Sequence, residues 1–222
     1  LATSGTDGRG NRFVTHPWLI GITGNIACGK SVVMRRLGEL GATVIDADLI
    51  YRELTGPGSA LVQVLAGEFG PGIVRPDGSL DRPALGAIVF ADPAALRRLD
   101  HLTHPVIIDE VLRRTACATT PVVATEGIKL LESGLGDRCN EIWMVTCSPE
   151  QQRIRLMQRN GLTAEEADRR IAAQSPASEK IARADVVFEN DGTIEALEAQ
   201  VDRAWIASAA KRADSGYLPG GY

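Results

Sequence analysis

Charge of one sign is what this chain lacks first. Twenty-four basic side chains against 28 acidic ones leave a net charge of −4, without the positive field that nucleic acid or an anionic membrane surface requires. Neither partner is expected, and any polyanion bound is small and held locally. The four cysteines (Cys28, Cys117, Cys139, Cys147) show no C-x-x-C spacing and the three histidines form no pair, which argues against a zinc site and fits free thiols in a reducing compartment. No run approaches the length of a membrane span, and Leu1 to His16 has neither the basic nor the apolar region of a secretory signal. The expectation is a cytoplasmic protein.

What is present is a composition that is 44% hydrophobic and 23% charged over 222 residues, enough for one sizeable core or a core carrying an inserted subdomain. Disorder and collagen are excluded. Twenty of the 24 basic residues are arginine, the side chain suited to bidentate phosphate contacts, but a GC-rich genome explains this equally well.

Five short Val- and Ile-rich runs, Trp18–Thr23, Thr43–Ala47, Pro121–Thr125, Ile142–Cys147 and Asp185–Phe188, read as strands. Helical periods separate them, such as Val33, Leu37 and Leu40 closed by Gly41, so a parallel sheet covered on both faces is expected. The amphipathic stretches Ala60–Phe69, Arg82–Phe90 and Pro93–Leu112 lie in a gap too long for one crossover and predict a helical insertion at about residues 58–117. A Ser-Pro-Glu helix start, a break at Asn160-Gly161 and a capping box from Thr163 to Glu166 predict a helical hairpin, a lid at about 150–184. Residues 1–17 and 211–222 lack a hydrophobic period and read as flexible tails around a domain at 18–210.

After the first strand comes Gly24-Asn25-Ile26-Ala27-Cys28-Gly29-Lys30-Ser31, the G-x-x-x-x-G-K-[ST] pattern between strand and helix. Glycines let successive N–H groups converge on one point, and the next helix adds its positive end. Lys30 then reaches the β- and γ-phosphates of ATP, and Ser31 ligates Mg²⁺. Cys28 contributes backbone, although the helix N-terminus can lower its pKa.

The second strand runs into Asp46-Ala47-Asp48, and alternation puts both carboxylates on one side where the chain leaves the sheet. Asp48 then serves as base toward an attacking hydroxyl and Asp46 as a metal or loop-positioning group. The alternative is that Asp48 caps a helix at Leu49–Leu54 and Asp46 bonds the loop. Arg52, one turn on, shares the face of Asp48. No N-K-x-D or D-x-x-G motif supports a regulatory GTPase. A kinase of a small acceptor, including a nucleoside or nucleoside monophosphate, and a non-catalytic ATP-sensing module both remain open.

The residues resemble the bacterial dephospho-coenzyme A kinase family from about Leu19 to Val201. The resemblance is carried by the phosphate loop, by Val44-Ile45-Asp46-Ala47-Asp48 with Arg52, by Phe69-Gly70, and by Asp77-Gly78-Ser79-Leu80-Asp81-Arg82 with Leu85 and Phe90. Leu102-Thr103-His104-Pro105, Leu130-Leu131-Glu132, Met157-Gln158-Arg159, Gln174 and Ala184-Asp185 through Asn190 extend it. It implies a three-layer P-loop kinase fold with a five-stranded parallel sheet, an inserted helical coenzyme-binding subdomain and a helical lid. The implied activity is transfer of the ATP γ-phosphoryl group to the ribose 3′-hydroxyl of dephospho-coenzyme A, by a monomer or weak homo-oligomer.

The resemblance also implies site residues. ATP contacts fall to Gly24 through Val32 and to Asn190, and acceptor contacts to Asp48, Arg52, Phe69, Arg82, His104 and Glu132. Catalysis falls to Asp48, Lys30 and Arg155, the last closing over the migrating phosphoryl charge, and metal binding to Ser31 and Asp46. Asn25 and Ala27 stand where the family usually has glycine, and Asn tolerates left-handed backbone. Glu126-Gly127-Ile128-Lys129 departs from the family's Pro-Leu-Leu run, and Lys129 meets a phosphate of the acceptor or, as exposed lysines do by default, points to water. His104, before Pro105 at an expected helix break, packs and caps rather than moving protons, and His101 lies on a solvated face.

Overall fold

The computed structural model describes residues 4–6, 12–14, 16–127, 129–215 and 217. Two short strands open it, β1 (Ser4–Thr6) and β2 (Arg12–Val14), paired antiparallel within the segment expected to be a tail. Then follow β3 (Trp18–Gly24), α1 (Lys30–Glu39), β4 (Thr43–Asp46), α2 (Ala47–Leu54), α3 (Ala60–Phe69), α4 (Arg82–Val89) and α5 (Pro93–Ala116). The remainder is β5 (Val122–Glu126), β6 (Glu141–Thr146), α6 (Pro149–Asn160), α7 (Ala164–Ala172), α8 (Ala177–Ile181), β7 (Val186–Glu189) and α9 (Ile194–Asp214). All five expected strands are present, displaced by a residue or so at their ends.

The main sheet has the order β4-β5-β3-β6-β7, and β3 lies parallel to both β5 and β6, as β6 does to β7. Every residue of β3 is buried, as a central strand with both faces covered requires. Ile20, Ile22, Val122, Ala124, Trp143, Val145 and Phe188 pack on Val33 and Leu37 of α1 and on Leu197 and Val201 of α9. Each fully buried aliphatic side chain there contributes about 1.5–3 kcal/mol.

At the start of β6 a buried carboxylate, Glu141, accepts from Trp18 Nε1 at 2.8 Å, Trp143 Nε1 at 3.0 Å and Ser208 Oγ at 2.5 Å. Three donors make this burial tolerable. The same end holds the second correction to the expected tails. Helix α9 continues to Asp214, and the Tyr217 hydroxyl donates to Pro121 O at 2.6 Å and accepts from Trp18 N at 3.2 Å, while its ring meets Trp18 edge-on. One aromatic after a polar stretch gives no periodicity, so the contact was not readable beforehand.

The chain forms two compact units, one of residues 1–45 and 115–222 and the other Asp46–Arg114, so the insertion starts earlier than residue 58. The second unit is built of α2, α3, α4 and most of α5 around Leu61, Val62, Leu65, Ile73, Leu80, Leu85 and Val89. Its Asp77-Gly78-Ser79 segment is a turn, with Gly78 at φ 81° and Asp77 Oδ1 accepting from Ser79 N at 2.9 Å, and Asp81 caps α4 through Ala84 N at 3.0 Å. The expected break at Pro105 does not occur: α5 runs unbroken from Pro93 to Ala116. A proline inside a helix removes one donor, a cost of about 3 kcal/mol, and here buried Ala95 and Val111 anchor the helix on either side.

Candidate active site

The loop between β3 and α1 is shaped by three residues. Gly24 has φ 151°, and a Cβ there would sit 2.4 Å from Val145 O; Gly29 has φ 103°, and its Cβ would sit 2.2 Å from Asn190 Nδ2. Ala27, at φ 59°, is the non-glycine with positive φ among the described residues. Asn25 is not in that region, so its tolerance of left-handed backbone is not what this loop uses. Gly29 caps α1 and makes no side-chain cap hydrogen bond to the helix's leading N–H groups. Such a terminus favours an anion. Lys30 Nζ donates to Gly24 O at 2.9 Å and Asn25 O at 3.2 Å, and Ser31 is exposed in the first turn.

The loop's own backbone is held from the C-terminal half of the chain. Gln152 Nε2 donates to Ile26 O at 2.9 Å, and Gln174 Oε1 accepts from Ile26 N at 2.8 Å. Arg155 donates to Ala27 O at 3.4 Å and Asn190 O at 2.8 Å, and Asn190 Nδ2 donates to Cys28 O at 2.7 Å. Asn190 therefore lies against the loop. Arg155 lies on α6 and bonds two backbone carbonyls in this structure. The helix break and capping box of the hairpin are as expected, with Gly161 at φ 63° and Thr163 and Glu166 bonding reciprocally.

Cys28 is buried, and its thiol is pushed below the ordinary cysteine range chiefly by a hydrogen bond from Cys147, whose Sγ lies 3.4 Å away; Lys30 and Arg155 assist. The helix terminus was the expected cause. Cys147, the donor of that bond, is raised. Cys139 is pushed up to about 12 by burial.

Asp46 ends β4 and caps α2, its Oδ1 accepting from Leu49 N at 3.0 Å, while exposed Asp48 is the second residue of the helix. Strand alternation does not reach Asp48, because the helix starts at Ala47. The alternative reading had the cap one carboxylate too late. Arg52 is exposed on α2.

Within the second unit, Arg82 donates to Thr55 Oγ1 at 2.9 Å with its guanidinium 5.2 Å from the Tyr51 ring centre, and Phe69 packs at the edge of the apolar core. His104 Nε2 lies 3.4 Å from Asp100 Oδ1 inside α5 rather than at a helix end. Glu132, in the first unit, accepts from Ser175 Oγ at 3.3 Å and lies 3.8 Å from Lys180 Nζ. Lys129 is exposed.

Sequence reasoning passed over Glu126, Gln152 and Lys180. Glu126 ends β5 in register with Ile22 of β3, and its signal was legible: four apolar or small residues followed by an acid, Val122-Val123-Ala124-Thr125-Glu126, in the strand beside the phosphate loop. The other two meet the loop across more than a hundred residues and carry no local signature.

A loop of this build on a parallel sheet defines a P-loop nucleotide-binding protein. A family model described as dephospho-CoA kinase matches residues 18–196, and the chain belongs to that family. It is 46% identical over 193 residues to the dephospho-CoA kinase of Symbiobacterium thermophilum, covering 86% of this chain and 81% of the relative. The enzyme of the same name from Geobacter sulfurreducens is 46% identical over 190 residues, covering 84% of this chain and 96% of the relative. Among solved structures, TT1252 from Thermus thermophilus superposes with a TM-score of 0.72 at 36% identity, covering 88% of this chain and 98% of that one. Dephospho-CoA kinase from Campylobacter jejuni, at 23% identity, shares the fold with a TM-score of 0.63 over 90% of this chain and 98% of its own. Among the described residues no helix is long and apolar enough to cross a membrane.

Proposed function

We infer that the chain transfers the γ-phosphoryl group of ATP to the ribose 3′-hydroxyl of dephospho-coenzyme A, giving coenzyme A. The observation that carries this reading is the match to the dephospho-CoA kinase family over residues 18–196, joined to a phosphate loop whose glycine-capped helix and Lys30 suit a triphosphate.

In this reading the loop amides and Lys30 bind the β- and γ-phosphates, so that charge developing on the transferring group meets fixed dipoles rather than reorganising water. The exposed hydroxyl of Ser31 is a hard oxygen donor of the kind Mg²⁺ takes, with the carboxylates of Glu126 and Asp46 as candidates to hold its water shell. Bound there, Mg²⁺ would neutralise phosphate charge. Asp48 orients the 3′-hydroxyl and accepts its proton as the new P–O bond forms. Its exposure in the first turn of α2 leaves it open to an acceptor. Arg155 exchanges its carbonyl partners for the γ-phosphoryl oxygens as the α6–α7 hairpin closes, and Arg52, Phe69, Arg82, His104 and Glu132 serve the acceptor. The chemistry is that of a cytoplasmic enzyme acting on soluble metabolites.

The test is ADP release coupled to a dehydrogenase readout, with dephospho-coenzyme A as the only acceptor and nucleosides or nucleoside monophosphates in parallel. Turnover with dephospho-coenzyme A alone is expected. ADP release that is independent of acceptor, or faster with a nucleoside, would overturn the assignment.

A further inference from the structure

Lysine is almost never buried unless paired, and Lys180 is 3% exposed. Its ammonium donates to Asn25 Oδ1 at 3.1 Å and lies 3.8 Å from Glu132 Oε1. Asn25 is the second residue of the phosphate loop and is itself buried. Its side-chain nitrogen donates to Ser175 O at 3.4 Å, and its backbone carbonyl accepts from Lys30. A short relay therefore runs from a buried cation on α8, through one carboxamide, to the carbonyl on which the phosphate-binding lysine rests. The loop's consensus asks nothing of this second position, so its spacing does not account for the contact.

We propose that Lys180 is a positioning residue for ATP: acting through Asn25, it fixes the leading edge of the phosphate loop and so sets the direction from which Lys30 meets the β- and γ-phosphates. The inference rests on the kinase reading. Charge is the useful property here. An apolar side chain of equal length would fill the same space but could not hold the carboxamide oxygen, and hydrogen bonds from an ionised donor are about twice as strong as neutral ones. Gln174, from the segment leading into α8, holds the adjacent Ile26 amide, so the front of the loop is fixed at two successive residues from one side.

The proposal separates function from stability. Glu132, the carboxylate beside Lys180, is 39% exposed, so removing the cation leaves no buried charge unpaired, whereas the loop would lose its register. The experiment titrates the full chain with an ATP analogue fluorescently labelled on its ribose, alongside steady-state ADP release with dephospho-coenzyme A, for wild type, Lys180→Met, Asn25→Ala and the double variant. Lys180→Met is expected to weaken nucleotide binding and raise the KM for ATP about tenfold, the worth of one charge-assisted bond, with a melting temperature close to wild type. Asn25→Ala is expected to do the same, and the double variant to be no worse than either single one, since both remove one relay. Unchanged binding in a folded Lys180→Met, or losses that multiply in the double variant, would overturn the proposal. If Lys180→Met does not fold, Asn25→Ala decides alone: a tenfold loss supports the relay and wild-type affinity refutes it. A wild-type chain that binds the analogue but releases no ADP with dephospho-coenzyme A would count against the acceptor assignment, while the binding titration still reads the relay.

Discussion

Gly29→Ala puts the phosphate loop under a quantitative test. At φ 103° an added Cβ carries the left-handed penalty of about 1–2 kcal/mol, and the ideal Cβ position lies 2.2 Å from Asn190 Nδ2, well inside any tolerated contact. Asn190 is buried and donates to Cys28 O at 2.7 Å, so it cannot swing away without leaving that carbonyl unpaired, a further cost of about 1–3 kcal/mol. Together the substitution should cost about 2–5 kcal/mol, shared between lost stability and lost ATP affinity. Urea unfolding with and without ATP, together with calorimetric titration of ATP, separates the two shares. Ala27→Gly is the built-in control, because it relieves left-handed strain at φ 59° two residues away and should be neutral or stabilising by up to about 1 kcal/mol. A Gly29→Ala variant that melts and binds ATP like wild type would refute the reasoning.

Asp48→Asn should lower kcat by about two to four orders of magnitude while ATP affinity stays within a few fold, because a base is lost and the phosphate site is kept; steady-state kinetics with a binding titration check this. Glu141→Ala strands two buried indole N–H groups and a hydroxyl, and should cost about 3–5 kcal/mol in denaturant unfolding without selectively moving KM. Arg113 and Arg114 hold Glu110 down to about 2 from its ordinary 4.5. The sign follows from linkage: a depressed carboxylate stabilises above its unfolded pKa, and that contribution is lost as pH falls toward the folded value. Glu110→Gln should therefore melt below wild type near neutral pH, with the gap closing between about pH 4.5 and 2 in thermal scans.

How much could be read beforehand divides along physical lines. Strands and the phosphate loop were legible because they depend on local chemistry: short β-branched runs, glycine spacing, and a lysine that opens a helix. The capping box at Thr163 was legible for the same reason. Asp46 and Asp48 were misplaced by a local competition, strand alternation against a helix cap two residues earlier than expected, which spacing alone does not arbitrate. Asn25 and Ala27 show the limit more sharply. Both stand at positions where glycine is usual, but only Ala27 takes the left-handed backbone, while Asn25 spends its side chain on Lys180 and Ser175. Contacts such as Gln152 to Ile26 and Gln174 to Ile26 follow from the folded arrangement of distant segments, and no periodicity announces them.

Lys30, resting on the carbonyls of Gly24 and Asn25, implies a threshold for ligands. A group that would draw the ammonium across must outcompete two oxygen dipoles already in place. A dense polyanion clears that barrier and a neutral nucleoside does not, so the cradle discriminates by charge before any base or sugar is read.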